Sequence, residues 1–238
     1  MGLFDFLKPK KDPLDAMMEN KPPQQKKILL YFMADKVGAQ ANNLRAAGRK
    51  DDAEKIITEY LQRVFQEFKN EPLDPRNLSL FTSVALKLDA AEAAKKTLES
   101  LIEENDRLFL DLTVVYTDLG RIYHVLPIDP KRELWCYEMA TAAMAPQGCK
   151  VPATRKQKAK AHCFAFTKLR AISLTWEFRM EKREPTADEI ERVHEERRTN
   201  FQRAELHEKK AKELVPEVDW DDQTQINEFM KSVNEIEG

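Results

Sequence analysis

Apolar residues recur at intervals of three and four along most of this chain, and this spacing constrains its fold more than any other feature. The first such run contains Ile28, Leu29, Tyr31, Phe32, Val37, Ala41 and Leu44 and ends near Gly48. A second run, Ile56 to Phe68, follows Asp51 and Asp52, whose negative charges suit the start of a helix. Only 6 of the 238 residues are glycine, too few for a sheet with many tight turns. The sequence therefore predicts an all-α protein of antiparallel helical hairpins.

Two further hairpins are predicted after the first. The second hairpin comprises residues 78–88 and 90–104, and the third comprises 108–123 and 131–144. Prolines at 72, 75, 127, 130 and 146 separate these segments, because proline does not continue a helix. Hairpins of similar length that follow one another are typical of a solenoid.

The pattern changes beyond Pro152. Residues 155–182 form one long helix with apolar side chains around much of its circumference, so we expect it to be largely buried. Thr186 and Glu189 have the spacing of a capping box and predict a helix that runs to about Leu214. A short last helix is predicted over about residues 223–236.

The third hairpin carries the most specific motif in the chain. Tyr116, Leu119, Gly120 and Tyr123 have the spacing of one helix, and Tyr137, Ala140 and Pro146 have that of a second. This set resembles the tetratricopeptide repeat (TPR) over about residues 113–146. We expect Gly120 to let the two helices approach closely while the aromatic side chains fill the space between neighbouring pairs. The resemblance implies a divergent TPR-like solenoid with the long C-terminal helices packed on it.

The resemblance also implies a binding surface. In TPR arrays the first helices of successive pairs line a concave groove that receives a peptide or a partner helix. In the third hairpin this places Thr117, Arg121 and His124 in the partner groove. Members that grip a terminal carboxylate use Lys, Arg and Asn side chains, whereas the first hairpin offers Asp35, Ala39, Asn42 and Asn43. We therefore do not expect a carboxylate clamp.

A basic segment is the strongest local charge feature, since no acidic residue lies between Glu138 and Glu177. Its basic patch consists of Lys150, Arg155, Lys156, Lys158, Lys160, Lys168 and Arg170. Three interpretations stay open: neutralisation by the acidic residues of segment 216–238, an acidic protein partner, or binding of nucleic acid or phosphate. The net charge of −2, from 39 Lys and Arg against 41 Asp and Glu, disfavours nucleic acid.

Motifs of catalysis and of metal binding are not found in the sequence. It lacks the G-x-S-x-G elbow, the phosphate-binding loop and the dinucleotide fingerprint. Cys136, Cys149, His162 and Cys163 have side chains that bind zinc, but their spacing lacks a C-x-x-C pair. His194 begins a zinc-protease-like motif that fails at Arg198, where the second histidine is required. We expect no enzymatic activity, no cofactor and no metal.

The N-terminus combines an apolar arm, Leu3, Phe4, Phe6 and Leu7, with a basic stretch, Lys8 to Lys11. We interpret the arm as packing on its own domain or on a partner, with membrane contact as the alternative. Phe6 stands where N-myristoylation requires Ser or Thr, so a lipid anchor is not expected. No run reaches the roughly 18 to 20 apolar residues of a membrane span. Together with the odd number of cysteines, 3, this favours a cytoplasmic location.

Three regions are predicted in all. Residues 1–23 form the N-terminal arm and linker, residues 24–148 the TPR-like domain, and residues 149–238 a helical extension packed on that domain as one unit. The first functional hypothesis is a scaffold or adaptor that binds a protein or peptide without chemistry. The alternatives are a nucleic-acid or phosphate-binding protein that uses residues 150–170, and a self-associating structural subunit.

Overall fold

The computed structural model describes residue 18 and residues 21–69, 75–126, 130–179 and 186–232, and every regular element in these ranges is an α-helix. These helices are α1 (Pro23–Ala46), α2 (Lys50–Lys69), α3 (Pro75–Lys87), α4 (Ala91–Glu103), α5 (Asn105–Leu108), α6 (Leu112–Val125), α7 (Pro130–Ala142), α8 (Arg155–Arg179), α9 (Ala187–Leu214) and α10 (Gln223–Ser232). The prediction of an all-α fold is confirmed, and neighbouring helices pack as pairs, α1 with α2, α6 with α7 and α8 with α9.

The local signals in the sequence account for the helix ends. Thr186 and Glu189 form the predicted capping box, in which the Thr186 hydroxyl accepts the Glu189 N–H and the Glu189 carboxylate accepts the Thr186 N–H. Gly48, which follows α1, has a φ of 77°, a left-handed conformation that glycine adopts without strain. Asp111 caps α6 by accepting the Thr113 N–H at 3.0 Å, and its other oxygen accepts the Ala153 N–H at 2.9 Å.

The chain divides into two compact units, Met1–Tyr60 and Leu61–Gly238, with the division inside α2. In the first unit α1 buries Leu30 and Ala34, and α2 buries Ile57 and Tyr60. The Tyr60 hydroxyl donates a hydrogen bond to the Leu30 carbonyl, which ties the two helices together. The boundaries at 23/24 and 148/149 stay predictions.

Helix α6 is the centre of the second unit. It packs against α3 and α4, which precede it, and against α7 and α8, which follow it. Ten of its 14 residues are buried, because neighbours cover it on most sides. A helix surrounded in this way fixes the relative positions of the helices around it.

Pairs of contacting residues show how these helices run. Residues of α3 and α6 pair in ascending order, Ser79 with Asp118 and Ser83 with Arg121, so these helices are parallel. Helix α7 is antiparallel to α6, since Tyr137 lies against Gly120 and Glu133 lies against His124.

Helix α8 returns antiparallel to α7 and therefore parallel to α6. Phe164 of α8 stacks on Tyr137 at a centroid distance of 4.9 Å, and Lys168, one turn later, forms an ion pair with Glu133. Helices α3, α6 and α8 thus form a row of parallel helices, which we call the parallel row.

The C-terminal helices have a small core of their own. Buried side chains of α8, α9, α10 and the segment between α9 and α10 form it: Ala159, Cys163, Phe166, Leu169, Ala204, Ala211, Val215, Trp220 and Phe229. The Trp220 indole donates to the Val215 carbonyl at 3.0 Å, so its polar edge is satisfied inside this core. Helices α8 and α9 are long, 25 and 28 residues, yet no helix in the described ranges is apolar enough over such a length to span a bilayer.

Candidate functional site

A line of charged and hydroxyl-bearing side chains runs through the parallel row and along its contact with α7. Its members are Ser79, Ser83, Asp118, Arg121, His124, Glu133, Lys160 and Lys168, which we call the polar line. The polar line extends from buried side chains such as Asp118 to His124, which is mostly exposed. Because all members lie on packed helices, their positions are fixed by the fold.

Arg121 is held by two helices. Its guanidinium donates to Asp118 Oδ1 at 2.8 Å and to Ser83 Oγ at 3.3 Å. Asp118 also accepts a hydrogen bond from Ser79 Oγ at 2.9 Å. The Asp118 side chain is 1% exposed, and that of Arg121 is 17% exposed. The carboxylate therefore lies in the interior, while the arginine reaches toward the surface in one orientation.

Lys160 brings a second positive charge close to Asp118. It is buried, and its ammonium group lies 5.8 Å from the centre of the Phe164 ring. Burial lowers the pKa of Lys160 to about 8, against the opposing attraction of Asp118, with Arg121 adding to the decrease. The Arg121 guanidinium and the Lys160 ammonium group are thus both attracted by the buried Asp118 carboxylate.

His124 is the exposed end of the polar line. Its Nδ1 lies 3.0 Å from Glu133 Oε1, and its side chain is 70% exposed. Glu133 is buried and also forms the ion pair with Lys168 of α8. The buried carboxylate orients the imidazole, and the remainder of the ring is exposed to solvent.

The predicted groove residues have different surroundings. Thr117 is 5% exposed, and its hydroxyl donates to the Thr113 carbonyl at 2.7 Å, so the structure places it in the interior of the unit. The reason is the cover that α3, α4, α7 and α8 provide around the middle of α6. Arg121 is largely covered, and His124 is open to solvent. Sequence reasoning missed Ser79, Ser83, Asp118 and Glu133, because each of them has at least one partner that is distant in sequence.

The basic patch is not a continuous surface. Lys160 is buried, and Lys168 and Arg170 form ion pairs with Glu133 of α7 and Glu208 of α9. Arg155 pairs with Glu217 of the acidic segment at 3.0 Å. Lys150 and Lys156 are exposed, and Lys158 is half-buried. Acids of three regions therefore neutralise much of this patch.

The cysteines are all free thiols. Cys136 and Cys163 are buried, and burial raises the pKa of each thiol to about 12. Thiols held in the neutral form behave as small apolar side chains. In the part of the chain that the structure describes, no group of three or more His, Cys, Asp or Glu side chains is arranged to hold a metal ion. The apolar arm, Leu3 to Leu7, lies outside the described residues.

Comparison with known proteins supplies no relative that would assign a role to these residues. The chain matches no protein-family model, no curated protein and no solved structure.

Proposed function

We propose that this chain is a non-enzymatic interaction module, a divergent TPR-like solenoid that binds a peptide or a partner helix along the parallel row. The observation that carries the proposal is the order of helix contacts. Helix α6 contacts the pair before it, α3 and α4, and also the two helices after it, α7 and α8. In a repeat array each pair contacts its neighbours in the chain in this way.

The motif in the third hairpin supports the same proposal. A Cβ atom placed on Gly120 would lie 2.7 Å from Tyr137 Cδ1 and 2.9 Å from Cζ, closer than side-chain atoms approach. The glycine therefore permits the close contact between α6 and α7 that we predicted from the motif. Tyr116 and Ala140 are buried together with Ala161 of α8, so the motif residues also join this hairpin to the next helix.

The polar line suggests what the groove would recognise. Arg121 and His124 are each oriented by a buried carboxylate, so Arg121, and His124 in its protonated form, present hydrogen-bond donors at little further entropic cost. Carbonyl or carboxylate groups of a bound peptide are suitable acceptors for such donors. A partner segment with exposed acceptors is therefore the ligand that this surface would select.

The test is affinity capture of the tagged full-length protein from its native lysate, with and without nuclease, followed by mass spectrometry. His124→Ala removes the exposed imidazole while Lys168 still pairs with Glu133. His194→Ala is the matched control, because His194 is also exposed but lies on α9 outside the parallel row. We expect His124→Ala to weaken partner binding about tenfold, as loss of an interface hot spot does, and the control to leave it unchanged.

Two outcomes would contradict the proposal. If both variants retained the partner equally, the groove would lie elsewhere on the protein. If every partner were lost on nuclease treatment, binding through nucleic acid would replace the peptide groove. Circular dichroism of each variant separates loss of binding from loss of fold.

A further inference from the structure

Two histidines that are not members of the polar line meet between α8 and α9. The Nδ1 atoms of His162 and His207 lie 2.9 Å apart. The ring centroids are 5.2 Å apart, which exceeds the nitrogen distance by 2.3 Å, about one ring radius for each imidazole. Both nitrogens therefore lie on the line between the rings, and each points at the other.

This arrangement accommodates one proton between the rings. An N–H···N hydrogen bond needs one Nδ1 that carries hydrogen and one that carries a lone pair, so the neutral rings adopt complementary tautomers. A second proton turns both nitrogens into donors that face each other. Metal ligands would instead direct their lone pairs to a common third point. The two Nδ1 atoms are thus placed for a hydrogen bond that is lost when both of them carry a proton.

The groups around the pair favour its neutral form. Arg203 and Lys210 of α9 contribute positive charge, and Arg203 is engaged by Glu138 of α7. Glu213 is the acid that faces His162, but it is bound to Lys210 at 2.6 Å. Burial, with His207 and Lys210 acting in the same direction, lowers the pKa of His162 to about 4. Burial and Arg203 also lower the pKa of His207.

We propose that the His162–His207 pair is an acid-sensitive latch that holds α9 against α8 and releases it when both rings are protonated. The two charges would then repel each other across the helix interface after their hydrogen bond is lost. Ala204 and Ala211 flank His207 on the buried side of α9 and pack in the same core as Cys163, the neighbour of His162. Opening of the latch therefore exposes the Cys163 thiol.

The Cys163 thiol is the probe for this opening. The full-length protein is pulsed with a dithiodipyridine, which reacts with thiols in acid, from about pH 7.5 to about pH 4, and the labelled cysteines are located by peptide mass spectrometry. We expect the labelling rate of Cys163 to rise on acidification by at least about tenfold relative to that of Cys136, which is buried on α7. If both thiols became reactive at the same pH, the opening would be global and the latch would be disproved without any variant.

A single substitution then tests the histidines themselves. In His207→Gln the amide oxygen can accept a hydrogen bond from protonated His162, so acid no longer breaks the bond. We expect the pH at which Cys163 is half labelled to fall by about one unit, a tenfold change in proton activity. His194→Gln is the matched control, an exposed histidine of the same helix whose loss should leave the midpoint unchanged. Equal midpoints for His207→Gln and the unsubstituted protein would overturn the proposal.

Discussion

The third hairpin, α6 and α7, and the fourth, α8 and α9, are both tightly packed but by different means. In the third, a glycine lies beneath a tyrosine ring that is itself stacked on Phe164 of α8. In the fourth, the contact is made by alanines such as Ala204 and Ala211 and by a histidine pair. Helix α6 is enclosed on most sides, whereas most of α9 outside its apolar stripe is exposed. The third hairpin thus depends on the close fit of Gly120 against the Tyr137 ring. The fourth depends on small side chains and on the hydrogen bond between two histidines.

Gly120→Ala should have the largest effect. The new methyl group would overlap the Tyr137 ring, which cannot retreat because Phe164 stacks on its other face. We expect the free energy of unfolding to fall by about 3 kcal/mol, the upper range for overpacking in a core. Urea unfolding followed by circular dichroism measures it.

Gly148→Ala provides the control for this substitution. Gly148 has a φ of 90° but no atom within 4 Å of a Cβ, so the change tests backbone strain without overlap. We expect a loss of about 1 kcal/mol. Equal losses at the two glycines would show that close packing is not what requires Gly120.

Asp118→Ala should have the next largest effect, because it removes the carboxylate that joins α6 to α3. Arg121 and Ser79 would lose their acceptor, and Lys160 would lose its nearby opposite charge. We expect a loss of about 2 kcal/mol in unfolding free energy, typical of a broken buried network. Asp106→Ala, an exposed position on α5, serves as the control. Similar losses in both variants would mean that the buried network does not stabilise the unit.

Acidification should weaken the fourth hairpin. Folding lowers the pKa of His162 from 6.5 to about 4, so between these values the unfolded chain binds more protons. The stability from the neutral ring is complete above about pH 6.5 and is lost as the pH falls toward about 4. After allowance for partial solvent exposure we expect a loss of about 1 kcal/mol. Urea midpoints across this range measure it, and a pH dependence unchanged in His162→Gln would contradict the assignment.

Arg155→Gln should have the smallest effect. It removes the ion pair to Glu217, in which both side chains are about half exposed, at 58% and 50%. Exposed pairs contribute little, so we expect a change below about 0.5 kcal/mol that disappears at high salt. A loss comparable to that of Asp118→Ala would show that the acidic segment is held to α8 more firmly than this exposure suggests.

The sequence predicts much of the helix architecture because its signals are local. The capping box at Thr186 and the turn at Gly48 each follow from a few neighbouring residues. The close approach at Gly120 was expected from the motif over about residues 113–146. The polar line could not be predicted in this way, since Ser79 and Asp118 meet across 39 positions of sequence. Thr117 shows the same limit, because a spacing that places it on one face of α6 does not reveal that other helices cover that face.

Parallel helices set side by side also align their dipoles, which is electrostatically unfavourable unless charges at their ends compensate. Helices α3 and α6 run parallel, and each carries a basic side chain in its last turn, Lys87 and His124. A protonated His124 would therefore offset the negative C-terminal end of α6 as well as offer a hydrogen bond to a partner. An acidic ligand bound at this edge would compete with the backbone carbonyls of the helices for the same positive charge.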